Sequence, residues 1–242
     1  MLLCTVRTCH HPLRREARRY VCPRGHSFDV ARSGYVNLLQ PNERRSRNPG
    51  DSAEAVAARR RVWTAADLPP LPVKGGAVLD VGCGDGYWLS RVDAEERVGV
   101  DISVPAIEAA AKRYPDGLWI VANADRFLPF SEASFDVVLS ITARLNDGEF
   151  RRVLRDDGRL LVAVAAPDDL SQRDRVPRTI DDFPSFALLE QRRVTSKAVV
   201  DVGDVRLATY RGSGSGTREV TLSLDLLLFA PKTRGTPGGS SP

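Results

Sequence analysis

The chain has 242 residues, a formal net charge of +4, 42% hydrophobic residues and 27% charged residues. That is enough apolar material for the core of one large or two smaller domains, and it excludes wholesale disorder. No apolar run approaches the roughly 20 residues of a membrane helix, and the start, MLLCTVRTCHH, lacks a signal-peptide apolar stretch, so the sequence predicts a cytoplasmic protein with no membrane partner.

Residues 1–40 are rich in Cys, His and Arg and short of helical periodicity. Three of the four cysteines, Cys4, Cys9 and Cys22, lie here, and in a reducing compartment such a cluster points to metal rather than disulfides. CPRGH places Cys22 and His26 at C-x3-H, and CTVRTC places Cys4 and Cys9 at C-x4-C. Thiolate plus imidazole suits tetrahedral zinc. His10 and His11 adjoin Cys9 and offer alternatives to Cys4. Four protein ligands close the shell, so the predicted ion is a structural staple for a short segment. Thirteen arginines fall between positions 7 and 61. They suit a polyanion, through guanidinium–phosphate pairing, and they equally suit a solvated surface.

Residues 41–52, PNERRSRNPGDS, read as a polar linker ending in the helix N-cap Ser52. AEAVAARRRVW then reads as a helix from about 53 to 65, which DLPPLPVKGG breaks. From 77 the texture alternates. AVLDVG, ERVGVDIS, LWIVAN, FDVVLSI and GRLLVAVAAP read as strands, with helices at VPAIEAAAKRY and DGEFRRVLR. The predicted fold is α/β, a doubly wound, Rossmann-like parallel sheet with a small metal-binding module in front. Residues 167–185 read as a loop or lid, and FALLEQRRVTSKAVV fits a helix start or a strand start. REVTLSLDLLLFAPK alternates like a terminal antiparallel strand, and TRGTPGGSSP is expected to be disordered. The predicted units are therefore 1–40, a linker and helix at 41–76, a catalytic domain at 77–231 and a tail at 232–242.

VLDVGCGDG carries the most information. Asp80 closes a strand, and Gly82, Gly84 and Gly86 follow it at a strand-to-helix turn, where a bare backbone can approach a ligand. A pyrophosphate would be repelled by Asp80 and Asp85, so a cationic, phosphate-free nucleoside such as S-adenosylmethionine (SAM) fits better than NAD. Asp101 ends the second strand, beside Ile102, where an acid can accept both ribose hydroxyls. Asn123 and Asp125 end the third, within reach of an adenine edge. Cys83, between the glycines, reads as a small packing residue. Together with LPFSEASFDVVLS, this succession resembles the class I SAM-dependent methyltransferases over about 77–166.

The head adds a narrower likeness. CPRGHSFDVARSGYVNLL, RRSRNPGDSAEAVAARRRVW, VLDVGCGDGYW, AAAKRYP and LPFS resemble the bacterial 23S rRNA (guanine-N1)-methyltransferases, which include housekeeping and macrolide-resistance members. The resemblance implies SAM as cofactor, a structural Zn2+ on Cys4, Cys9, Cys22 and His26, and a SAM pocket lined by Gly84, Asp85 and Asp101. It also implies a hairpin loop of 23S rRNA as partner, and allows a homodimer. The chain departs from the family in its C-x4-C pair, where C-x2-C is usual, and in Leu68, where a tyrosine near the cofactor is expected. It departs again in ITARLND after the fourth strand. No catalytic base is assigned. Asp147 and Glu149 are candidates that also fit helix-start acids, and Tyr35, Trp63 and Trp88 are candidate base-stacking platforms that also fit the core. Two rival readings are a small-molecule methyltransferase of antibiotic biosynthesis and a non-catalytic zinc-ribbon rRNA-binding factor.

Overall fold

The computed structural model of the chain describes residues 1–43, 49–170, 180–210 and 213–233. The strands are β1 (Arg14–Glu16), β2 (Arg19–Val21), β3 (Ser27–Asp29), β4 (Val36–Asn37), β5 (Lys74–Val81), β6 (Asp93–Asp101), β7 (Leu118–Val121), β8 (Phe135–Ile141), β9 (Leu154–Ala165), β10 (Phe186–Asp201) and β11 (Thr217–Pro231). The helices are α1 (Ala53–Ala66), α2 (Val104–Arg113), α3 (Asp147–Val153) and α4 (Val202–Thr209).

β1, β2 and β3 form a small antiparallel sheet in the head. Between β2 and β3 the CPRGH turn closes with Gly25 N donating to Cys22 O at 2.9 Å and Cys22 N to His26 O at 3.0 Å. β4 then leaves the head and joins the main sheet, whose order is β10-β11-β9-β8-β5-β6-β7-β4. The strands from β9 across to β4 run parallel, and β11 and β10 close the other edge as antiparallel partners. The segment open to helix or strand from sequence is therefore β10, paired along its length with β11.

Ser52 caps α1 as its sequence predicts, accepting from Ala55 N at 3.2 Å, and the helix runs one residue past the predicted end. Its buried residues Ala55, Val56, Ala58, Val62 and Ala66 recur at three- and four-residue steps, so one face packs inward. Arg61 ties that helix to α4 through Asp204 at 2.5 Å, and Ser196 of β10 donates to Ala66 O. The loop after β5 does not open a full helix. It reaches only a 3-10 turn at Leu89–Arg91, because Tyr87, Trp88 and Leu89 are drawn into the core.

Trp119 on β7 is fully buried, and its ring fills a notch that only glycines leave. A Cβ on Gly99 would come within 2.4 Å of that ring, and one on Gly86 within 2.6 Å. The predicted disordered tail falls, from residue 234 onward, outside the described residues; Lys232 before it is tied by its N–H to Ser185 O at 3.0 Å.

Candidate functional site

In the head, the structure brings together one donor atom from each of Cys4, Cys9, Cys22 and His26, all within 4.8 Å of one another. Cys4 Sγ and Cys22 Sγ each lie 3.4 Å from His26 Nδ1, and Cys9 Sγ lies 3.8 Å from Cys22 Sγ. A tetrahedral zinc shell with bonds of about 2.3 Å to sulfur and 2.0–2.1 Å to nitrogen has edges of about 3.8 Å (S···S) and 3.5 Å (S···N). The donor set thus fits zinc in chemistry and in spacing. His10 is not part of it; its ring stacks on Phe127, centroids 4.1 Å apart and 9° from parallel. That stack helps seat the head on the methyltransferase sheet. Leu3 N donates to Pro129 O at 2.8 Å, Ser131 N to Met1 O at 2.9 Å, and Arg152 covers the Phe127 ring at 4.9 Å.

At the carboxyl ends of β5, β6, β7 and β8 lies a cavity of about 930 Å³. Gly82, Gly84, Asp85, Asp101, Ile102 and Asn123 line it. Gly82 and Gly84 hold φ of 78° and 55°, which glycine adopts without strain. A Cβ on Gly84 would meet nothing within 4 Å, so that backbone borders open space, whereas one on Gly82 would strike Ala143 at 2.5 Å. Asp101 is aimed by two backbone donors, Gly84 N at 3.0 Å to Oδ2 and Ser103 N at 2.8 Å to Oδ1. Burial raises its pKa.

Asp80 lies beneath the loop, outside the lining. Both its oxygens are buried without a hydrogen-bond partner, and burial, then the nearby Asp101, pushes its carboxyl up to about 8. An orphaned buried carboxyl is costly unless something compensates it. Among the described lining residues, six acids, Glu43, Asp51, Asp85, Asp101, Asp125 and Asp169, stand against two arginines, Arg59 and Arg144. That balance suits a sulfonium and an ammonium and disfavours a pyrophosphate, so the residues present fit SAM.

Several predicted site residues have other partners. Asp85 is ion-paired with Arg113 at 2.7 Å and Arg60 at 3.2 Å, so its charge clamps α1 and α2 to the loop. Gly86 serves the Trp119 notch rather than the lining. Asn123 accepts from Asp125 N at 3.0 Å and donates to Glu43 O at 3.3 Å, so its amide shapes the turn after β7 and ties it to the head segment. Arg59, Arg60 and Arg61 pair with Asp51, Asp85 and Asp204, which gives this part of the arginine-rich linker a structural use. Arg44, Arg45 and Arg47 lie outside the described residues.

The candidate bases are likewise occupied. Asp147 accepts from Ser185 Oγ at 2.5 Å, and Glu149 accepts from Leu128 N at 2.7 Å while pairing with Arg152 at 2.6 Å. Among the candidate platforms, Trp88 is buried with Trp63 edge-on to it, and Tyr35 packs against the core. Leu68 is wholly buried. Sequence reasoning singled out RRSRNPGDSAEAVAARRRVW without placing its Asp51 and Arg59 on the cavity, and passed over Tyr210, which no motif marks.

A parallel sheet of this order, with an acid-lined cavity over its glycine turn, defines a class I SAM-dependent methyltransferase, here with a zinc-ribbon head feeding its edge strand. Two family models divide the chain the same way: that described as RlmA, N-terminal, a zinc ribbon, matches residues 3–47, and that described as Methyltransferase domain matches 78–162. The chain is 35% identical over 181 residues to the 23S rRNA (guanine(748)-N(1))-methyltransferase of Streptomyces fradiae, covering 68% of this chain and 64% of that one. It is 35% identical over 202 residues to a Micromonospora griseorubida protein provisionally named a 23S rRNA (guanine-N1)-methyltransferase, covering 70% of this chain and 67% of that one. The chain belongs to the bacterial 23S rRNA (guanine-N1)-methyltransferase family. It spans about two thirds of the length of these relatives. Among solved structures, it is similar to a chain from the complex of the Haloferax volcanii Trm112 methyltransferase activator with a provisionally named methyltransferase. That likeness has a TM-score of 0.51 and 20% identity, covers 76% of this chain and 99% of that one, and shows the fold.

Proposed function

We propose that the chain methylates N1 of a guanine in a hairpin loop of 23S rRNA, with SAM as methyl donor. The observation that carries this reading is the union of two parts in one chain. A Cys3His head sits in one chain with an acid-lined cavity, family models for a zinc ribbon and a methyltransferase domain match the two parts, and the chain is 35% identical over 68% of its length to a relative named for that reaction. In this reading Cys4, Cys9, Cys22 and His26 hold a structural zinc, residues 1–40 contact the RNA, 41–76 join the parts, and 77–231 carry the methyltransferase site.

When bound, SAM supplies a methyl group already activated by its sulfonium. Asp101, fixed by Gly84 and Ser103, accepts the ribose hydroxyls. Gly82 and Gly84 would let the backbone approach the cofactor, Asp80 would compensate its positive charge from below the loop, and Ile102 would offer an apolar wall to the adenine. Asn123 holds the turn after β7 that borders the adenine. Positioning then supplies much of the rate, because the reaction needs an in-line approach of the nitrogen to the methyl within about 3 Å. Asp147 and Glu149 are held by Ser185, Leu128 and Arg152, so neither is assigned as the acceptor of the N1 proton.

The test is transfer of labelled methyl from SAM to unmodified 23S rRNA, followed by digestion to nucleosides. The reading expects label in 1-methylguanosine. Label in another nucleoside would overturn the N1 assignment. No label in RNA, with the cofactor bound, would favour a small-molecule acceptor.

A further inference from the structure

Tyr210 stands at the rim of the cavity, directly after α4. It lines the opening yet is 66% exposed. Its backbone is left-handed, φ 58°, which is uncommon for a bulky residue. An exposed ring is ordinarily free to swing, but this one is anchored at its far end. The hydroxyl donates to Asp51 Oδ1 at 2.6 Å. Asp51 is in turn gripped by Arg59, which also donates to Ala208 O at 3.2 Å, two residues before Tyr210. The Asp51 carbonyl accepts from Ser103 Oγ at 2.7 Å, and Ser103 is the N-cap of α2 beside Asp101.

The ring is therefore tied, through two residues, to the segment that would orient the ribose. Desolvation at its anchored tip, then the hydrogen bond to Asp51, pushes its hydroxyl up to about 12, so it stays a donor through the physiological range although the ring is exposed. The other aromatics on the described cavity wall, Trp63, Tyr87 and Trp88, pack edge to face, with Trp88 meeting both of the others.

A flat, exposed ring held in one place loses little freedom when another flat ring covers it. A base read from an RNA loop is unstacked from its neighbours and restacked on such a surface. We infer that Tyr210 is a nucleobase-stacking residue, covering one loop base at the cavity mouth while the Asp51–Arg59 clamp holds the ring in register with the cofactor. This rests on the RNA reading above and names the residue through which the loop is held.

The zinc-loaded full chain, saturated with S-adenosylhomocysteine, would be titrated with a 23S rRNA hairpin transcript carrying 2-aminopurine at each loop purine in turn. One position is expected to dim about twofold or more with the wild type, to dim less with Tyr210→Phe, whose ring loses its anchor to Asp51, and to stay bright with Tyr210→Asn, whose affinity for the unlabelled hairpin falls about tenfold. Asparagine tolerates the left-handed backbone, and Tyr210→Leu with a melting curve serves as the second ring-less variant. Equal dimming and equal affinity in the folded ring-less variants would overturn the inference. So would an equal loss in Tyr210→Phe, because the clamp and not the ring would then be what matters. A wild type that binds cofactor but no hairpin would instead sink the RNA reading itself.

Discussion

Asp101 and Asp80 sit one strand apart, and their surroundings give them opposite tasks. Asp101 accepts two backbone N–H groups that hold its carboxylate toward the cavity. Asp101→Asn keeps the shape and removes the charge that, in the proposed reading, would accept the ribose hydroxyls. It is expected to weaken SAM binding by about 10- to 100-fold with zinc content unchanged, as read by calorimetry and metal analysis. Asp80 has no partner and a pKa raised from 3.8 to about 8. The unfolded chain releases that proton near the ordinary carboxyl value, while the folded, cofactor-free chain keeps it. Between those values the folded state binds more protons, so its stability falls as pH rises from about 4 to 8. Urea midpoints at pH 5 and pH 8 should show this decline, and Asp80→Asn should flatten it. An unchanged slope in the variant would show that Asp80 is not its source.

At the scale of elements, the head is part of the sheet's edge. Val36 and Asn37 of β4 pair with Ile120 and Val121 of β7, and Leu38 N donates to Val121 O at 2.8 Å. β7 leads directly into Ala122–Asp125 of the cavity wall. Removing zinc should therefore loosen more than residues 1–40. Chelation, or Cys22→Ser, is expected to lower the melting temperature by roughly 10 °C or more. It should also speed amide exchange across both β4 and β7. Faster exchange confined to the head would argue that the two parts are mechanically independent.

These elements were legible in the sequence to the extent that local signals marked them. α1 could be read from its N-cap signal, α2 from its helical spacing, and the buried parallel strands such as β5 and β8 from short unbroken aliphatic runs. β10 was ambiguous because its outer residues Glu190, Gln191, Arg192 and Arg193 are polar and good helix formers, and only pairing with β11 makes them a strand. The turn after Gly86 could not be foreseen as 3-10, since nothing local shows that Tyr87 and Trp88 are drawn into the core.

At the scale of the molecule, Gly82, Gly84, Asp85, Asp101, Ile102 and Asn123, singled out in chain order because strand ends and glycines are local signals, line one cavity. Partners that lie far along the chain left no local signal. Asp85 lines the cavity and is also an ion-pair hub for Arg60 and Arg113, and Glu149, which fitted a helix-start acid as well as a base, is bound to Leu128 N. The arginines of α1 suited a polyanion or a solvated surface equally, and Arg59, Arg60 and Arg61 are matched to acids 8, 25 and 143 residues away. The Cys4/Cys9/Cys22/His26 set emerged from spacing plus resemblance, and the fold decides between Cys4 and the neighbouring histidines by stacking His10 on Phe127.

The measurement that bears most directly on the whole account is a reverse-transcriptase stop map of unmodified 23S rRNA after incubation with the purified, zinc-loaded protein and SAM. A methyl on N1 blocks Watson–Crick pairing, so extension halts one base short of the modified guanine. The account predicts one new stop at a guanine in a hairpin loop, dependent on SAM and greatly weakened in Asp101→Asn. A protein that binds SAM but leaves no stop on naked rRNA or on ribosomal particles would contradict it.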